Sequence, residues 1–114
     1  MPQIVIEHGG LDLDLQPLFQ AMVDAIVSHP AVPPEAVKLR AHKADAFLMV
    51  SGEPGFLNVT LRLMEGRPVE QHIEMSGLLQ DVIAKLLPSQ YAVSLETVTM
   101  GKASYFKRPA PASA

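Results

Sequence analysis

Apolar and polar positions follow two rhythms along this chain, and each rhythm appears twice. The opening residues Gln3-Ile4-Val5-Ile6-Glu7 are rich in β-branched side chains and run into Gly9-Gly10, the make-up of a strand closed by a turn. Leu15, Leu18, Phe19, Met22, Val23, Ile26 and Val27 then recur at steps of three and four, which puts them on one stripe of a helix. Asp12 and Asp14 suit the start of that helix from Asp14 onward, and His29-Pro30 marks its end. Beyond Pro33-Pro34 the period changes to two in Val37-Lys38-Leu39-Arg40-Ala41-His42. This predicts a strand that shows Lys38, Arg40 and His42 on one face.

The second half repeats the scheme. Phe47 to Val50 reads as an extended piece before the turn Ser51-Gly52-Glu53-Pro54-Gly55, and Leu57 to Leu63 alternates cleanly, so a hairpin or a closely following strand is expected. A second helix should start with Pro68 at its first position and carry Val69, Ile73, Ser76, Leu79, Val82, Ile83, Leu86 and Leu87 inward, with Pro88 as its stop. The last strand, Tyr91 to Met100, alternates through Val93 and Leu95 and resumes at Val98 and Met100. That change of phase predicts a bulge.

Strand, helix, strand thus occurs twice, in halves of about 2–52 and 56–101 within one domain spanning 1–107. The expected class is α+β: two βαβ units forming a four-stranded mixed sheet with two helices on one face. The Pro, Ala and Ser residues of 108–114 read as a flexible tail. A ferredoxin-like ligand-binding regulatory module has the same element order and is the competing architecture.

Composition narrows the function classes. With 114 residues, 48% hydrophobic and 18% charged, the chain is more apolar than a solitary domain needs, which points to self-association. A net charge of −3 argues against nucleic acid or an anionic membrane as partner. Cysteine is absent, which removes disulfides and thiolate metal sites. His8, His29, His42 and His72 lack metal-ligand spacing, so no metal is expected. With neither a spanning apolar run nor a signal-peptide pattern, the expected location is the cytoplasm.

The segment Leu57-Asn58-Val59-Thr60-Leu61-Arg62-Leu63-Met64-Glu65-Gly66-Arg67-Pro68-Val69-Glu70-Gln71 resembles the strand, Glu-Gly-Arg turn and helix start of the tautomerase family, as in 4-oxalocrotonate tautomerase. There the same segment begins with the catalytic proline. Here it lies mid-chain, and Met1-Pro2 opens the first unit. The length, the pattern from Pro2 to Glu7 and the Gly66-Arg67 turn resemble the fused-repeat branch typified by 5-carboxymethyl-2-hydroxymuconate isomerase, to about Met100. The resemblance implies a tautomerase fold, a homotrimer, no cofactor and a small carboxylate substrate.

It also implies roles. Removal of Met1 would expose the secondary amine of Pro2. An α-amino group titrates near roughly pH 8, and burial lowers it further by penalising the ammonium form, so that it can serve as a general base. Arg67 sits where the short tautomerases carry a functional arginine, and its fork suits a carboxylate or enolate. Lys38 aligns with their second arginine, while Arg40 shares its strand face and competes for the role of second cation. Without the resemblance, Arg67 reads as a turn arginine that is solvated or paired with a carboxylate such as Glu70, and Lys38, Arg40 and His42 as a solvated strand face. A tautomerase-fold trimer that binds without catalysing is the other alternative.

Overall fold

The computed structural model describes residues 2–111; the processing of Met1 and the end of the tail, 112–114, lie outside the described residues. Strand β1 (Gln3–Gly9), helix α1 (Gln16–Val27) and strand β2 (Lys38–Lys43) form the first half. Strand β3 (Phe56–Met64), helix α2 (Val69–Leu86) and strand β4 (Ala92–Met100) form the second, and single 3-10 turns cover Pro34–Ala36 and Lys102–Ser104. The sheet order is β2-β1-β3-β4. The pairs β1/β2 and β3/β4 are parallel and the central pair β1/β3 is antiparallel. Each half is therefore a closed βαβ unit, with no strand inserted between its parallel pair as in the split unit of a ferredoxin-like module.

Period-two alternation decides which sheet face is covered. Ile4 and Ile6 of β1 and Leu57, Val59, Leu61 and Leu63 of β3 are buried beneath the helices, while Gln3, Val5, Glu7, Asn58, Thr60 and Arg62 fall on the opposite, open face. Leu18, Met22 and Ile26 of α1 meet the sheet together with Met75, Leu79 and Ile83 of α2, and the two helices also pack on each other. The Asp14 carboxylate accepts the Gln16 amide at 3.1 Å, so α1 starts two residues later than its apolar pattern predicts.

Four further expectations need correction. Phe47–Val50 is a loop and not a strand: Leu48 and Val50 are 86% and 95% exposed, and only the Phe47 ring is engaged, edge-on to Phe56 at 5.3 Å. The inward stripe of α2 is Met75, Leu79, Ile83, whereas Val69 and Ile73 are 64% and 66% exposed and Leu86 is also exposed. At about 100° per residue, Ile73 lies roughly 200° around the helix from Met75, so the two cannot share a face. Pro68 caps α2 from just outside its first turn. No bulge interrupts β4, because pairing runs residue by residue from Phe56 with Ala92 to Met64 with Met100. Val98 and Met100 lie on the open face, opposite Val93 and Leu95, so the phase change reflects a switch of apolar face along an edge strand.

Candidate active site

One end of the sheet collects nearly all the residues singled out for chemistry. Pro2 leads into the central strand β1, and its ring is among the fully buried groups. Its carbonyl accepts the Lys38 amide at 3.2 Å, which ties the start of β1 to the start of β2. Antiparallel pairing of Gln3 with Arg62 brings the end of β3 to the same edge. Because β4 runs parallel to β3, the turn at Lys102–Ser104 and Tyr105 also arrive there.

On the open face at this end, Gln3 is flanked in register by Lys38 on one side and Arg62 on the other. Arg40, one strand repeat further along β2, reaches back so that Nη1 donates to Gln3 Oε1 at 3.5 Å, and Gln3 Nε2 donates to the Tyr105 hydroxyl at 3.4 Å. Lys38 is exposed and has no side-chain hydrogen bond among the described residues. Lys38, Arg40 and Arg62 thus form a cationic rim around Gln3. Polar alternation in Asn58, Thr60 and Arg62 carried the signal for Arg62, whereas Gln3 and Tyr105 gave none: their pairing depends on chain segments more than a hundred positions apart.

Arg67 is held differently. Gly66, at φ +101°, turns the chain out of β3 as Gly10, at φ +69°, does after β1, a left-handed conformation that glycine adopts without strain. The half-buried Arg67 donates from Nη1 to the Ala31 carbonyl at 3.3 Å and to Gln71 Oε1 at 3.2 Å. No hydrogen bond joins it to Pro2, Lys38 or Arg40, and its Nε and Nη2 have no partner among the described residues. One edge of the fork is anchored; the other is open. Its partners are a backbone carbonyl and Gln71, and not Glu70.

Neither His8 nor His72 hydrogen-bonds to Pro2, Lys38, Arg40 or Arg67 among the described residues. His8 stands near the far end of β1, in register with Lys43; burial, and then the Lys43 charge, hold it below its ordinary value near 6.5. His72 shares a hydrogen bond of 3.1 Å with Thr97 between α2 and β4. Among the described residues no three His, Asp or Glu side chains group so as to hold a metal, and no helix is long and apolar enough to cross a membrane. A groove of about 340 Å³ on the open face is lined by Glu7, Asn58, Thr60, Ser94 and Glu96, away from Pro2.

Comparison with known proteins places this fold. No curated protein matches the sequence. Among solved structures, the fold is similar to that of Pt0534 inactivated by 2-oxo-3-pentynoate, at 20% identity over 91% of this chain and 90% of that one, with a TM-score of 0.75. It is also similar to a 5-carboxymethyl-2-hydroxymuconate isomerase from Deinococcus radiodurans R1, at 20% identity over 94% and 88%, TM-score 0.72. A third is a wild-type fused 4-OT described as a symmetric trimer, at 25% identity over 92% and 94%, TM-score 0.64. At the sequence level, the family described as 5-carboxymethyl-2-hydroxymuconate isomerase matches residues 6–109. The chain is therefore a tautomerase-type protein with two fused βαβ units, and it belongs to the 5-carboxymethyl-2-hydroxymuconate isomerase family.

Proposed function

We propose that this protein is a cofactor-independent tautomerase of an unsaturated oxo or hydroxy di- or tricarboxylic acid, with 5-carboxymethyl-2-hydroxymuconate as the leading candidate. The observation that carries the reading is the enclosure of Pro2 at the head of the central strand, beside a cationic rim, in a chain of this family. Once Met1 is gone, the Pro2 nitrogen is a secondary amine in an apolar setting, which favours its neutral form. It takes the proton of the substrate enol, and the resulting ammonium returns that proton to a carbon of the conjugated chain. Substrate and product are isomers, so no co-reactant is required.

Negative charge spreads over the dienolate as the proton leaves. The open edge of Arg67 would grip a carboxylate or that enolate oxygen through two parallel N–H bonds, an arrangement an ammonium cannot reproduce. Lys38 or Arg40 would hold the second carboxylate. Since no contact within the chain joins them to Arg67, the site is best completed across a subunit boundary in a homotrimer, an assembly that the symmetric trimer of the fused 4-OT supports.

Intact mass measurement and turnover test the proposal together. The native chain should lack Met1, and Pro2→Ala should lower turnover of 2-hydroxymuconate about 100- to 10,000-fold, the range for loss of a general base. 2-Oxo-3-pentynoate should inactivate the protein by modifying the Pro2 nitrogen. A retained Met1 would leave only an amide at that position and overturn the mechanism, as would an unimpaired Pro2→Ala variant.

A further inference from the structure

The loop that follows α1 supplies the fixed surface against which Arg67 rests, and His29 fixes that loop. His29 Nδ1 accepts the Ala31 amide at 3.1 Å, and its Nε2 lies 2.9 Å from Glu74 Oε1 on α2. An amide can only donate, so Nδ1 carries a lone pair, and the ring proton sits on Nε2 and is given to Glu74. The His29 carbonyl accepts the Val32 amide at 3.0 Å. The peptide groups on both sides of Ala31 are thereby tied to one histidine, and the carbonyl left facing outward is the acceptor of Arg67 Nη1.

Proline stiffens this unit. Pro30 precedes Ala31, and Pro33 and Pro34 follow Val32, each with φ locked by its ring. The His29 side chain is only 9% exposed, and Val32 is buried in the core. From Glu74 through His29 and Ala31 to Arg67, and on to Gln71, a chain of hydrogen bonds starts and ends on the first turns of α2. Its bonds cross from one half of the duplicated fold to the other.

We infer that His29 is a positioning residue for Arg67, holding the Ala31 carbonyl so that Nη1 is occupied and Nε and Nη2 are presented to the substrate carboxylate. This rests on the carboxylate-binding role proposed for Arg67. A guanidinium with every N–H free would sample many rotamers and lose that freedom on binding, whereas one anchored on a rigid carbonyl has lost it beforehand. His29 touches no substrate, so its influence falls on binding more than on the proton transfer.

Two substitutions separate this role from simple support of the fold. In His29→Asn, Oδ1 replaces Nδ1 as acceptor for the Ala31 amide, and the bond to Glu74 is lost. In His29→Gln, a donor at the position of Nε2 keeps Glu74, and the Ala31 amide loses its partner. With 2-hydroxymuconate, His29→Gln is expected to raise KM about fivefold with kcat within about twofold of wild type, the size of one ordinary hydrogen bond. His29→Asn should restore KM to near the wild-type value even if both variants melt earlier. Equal KM values in the two variants, or an unchanged KM in His29→Gln while Arg67→Ala raises it, would overturn the inference. An unchanged KM in Arg67→Ala would overturn the carboxylate-binding role and this inference with it, a result distinct from the first.

Discussion

Met75 and Ile73 stand two positions apart on α2 and carry side chains of similar bulk, yet one is fully buried and the other 66% exposed. Met75→Ala should cost about 2–5 kcal/mol, because a buried side chain leaves a cavity that the sheet cannot fill. Ile73→Ala should change stability by no more than about 0.5 kcal/mol, as expected for an exposed position. Urea denaturation measures both, and a larger loss for Ile73 would mark a subunit contact there. His8 gives the chain a pH dependence of definite sign. Its proton is held less well in the folded state than at the ordinary value near 6.5, so acidification through that value favours the unfolded chain. Stability should be full above about pH 7 and fall below about pH 6.5, and His8→Asn should flatten that slope. At this scale Pro2 and Arg67 were singled out by the resemblance to the tautomerases and not by residue type alone, and the acceptors of Arg67 carried no signal at all. Ala31 and Gln71 are ordinary residues whose use depends on how the chain returns in space.

The joint where the second half starts shows how closely the two units fit. A Cβ on Gly55 would lie within 2.7 Å of the Gly10 backbone, while one on Gly52 would meet nothing within 4 Å. Gly52, at φ +89°, would suffer only local strain on substitution by alanine, about 1 kcal/mol. Gly55→Ala has to push two backbones apart and should lower the melting temperature clearly more than Gly52→Ala. Strands β2 and β3 were legible from alternation, and β1 from its β-branched run closed by Gly9-Gly10. The reading failed where the contrast between a buried and an open face weakens. Phe47–Val50 has an apolar composition but only one anchored ring, and β4, at the sheet edge, changes its apolar face along its length. The stripe of α2 was misplaced because Val69 and Ile73 continue an apolar series that does not face this chain's own core.

At the scale of the whole molecule, β2 and β4 are sheet edges that no strand pairs among the described residues, and edges of this kind invite pairing with another copy. Sedimentation should give a species of three times the 12.3 kDa chain mass; a monomer would remove the cross-subunit site. The duplicated layout followed from element order, but the closed form of each half did not, because order alone does not say whether a strand is inserted between a parallel pair. The antiparallel centre relates the two units by a pseudo-twofold axis, so the sheet has a second end resembling the first. Leu57 stands there where the short tautomerases place their proline, and it is buried with a peptide bond on each side. Duplication preserved the architecture, and under the proposed mechanism it leaves one catalytic amine per chain. A trimer labelled to completion should then take up three equivalents of inactivator, where six such ends exist. Under the proposed mechanism the opposite ends handle no proton, and each is lined instead by the apolar side chains of Phe47, Leu48, Met49, Phe56 and Val93.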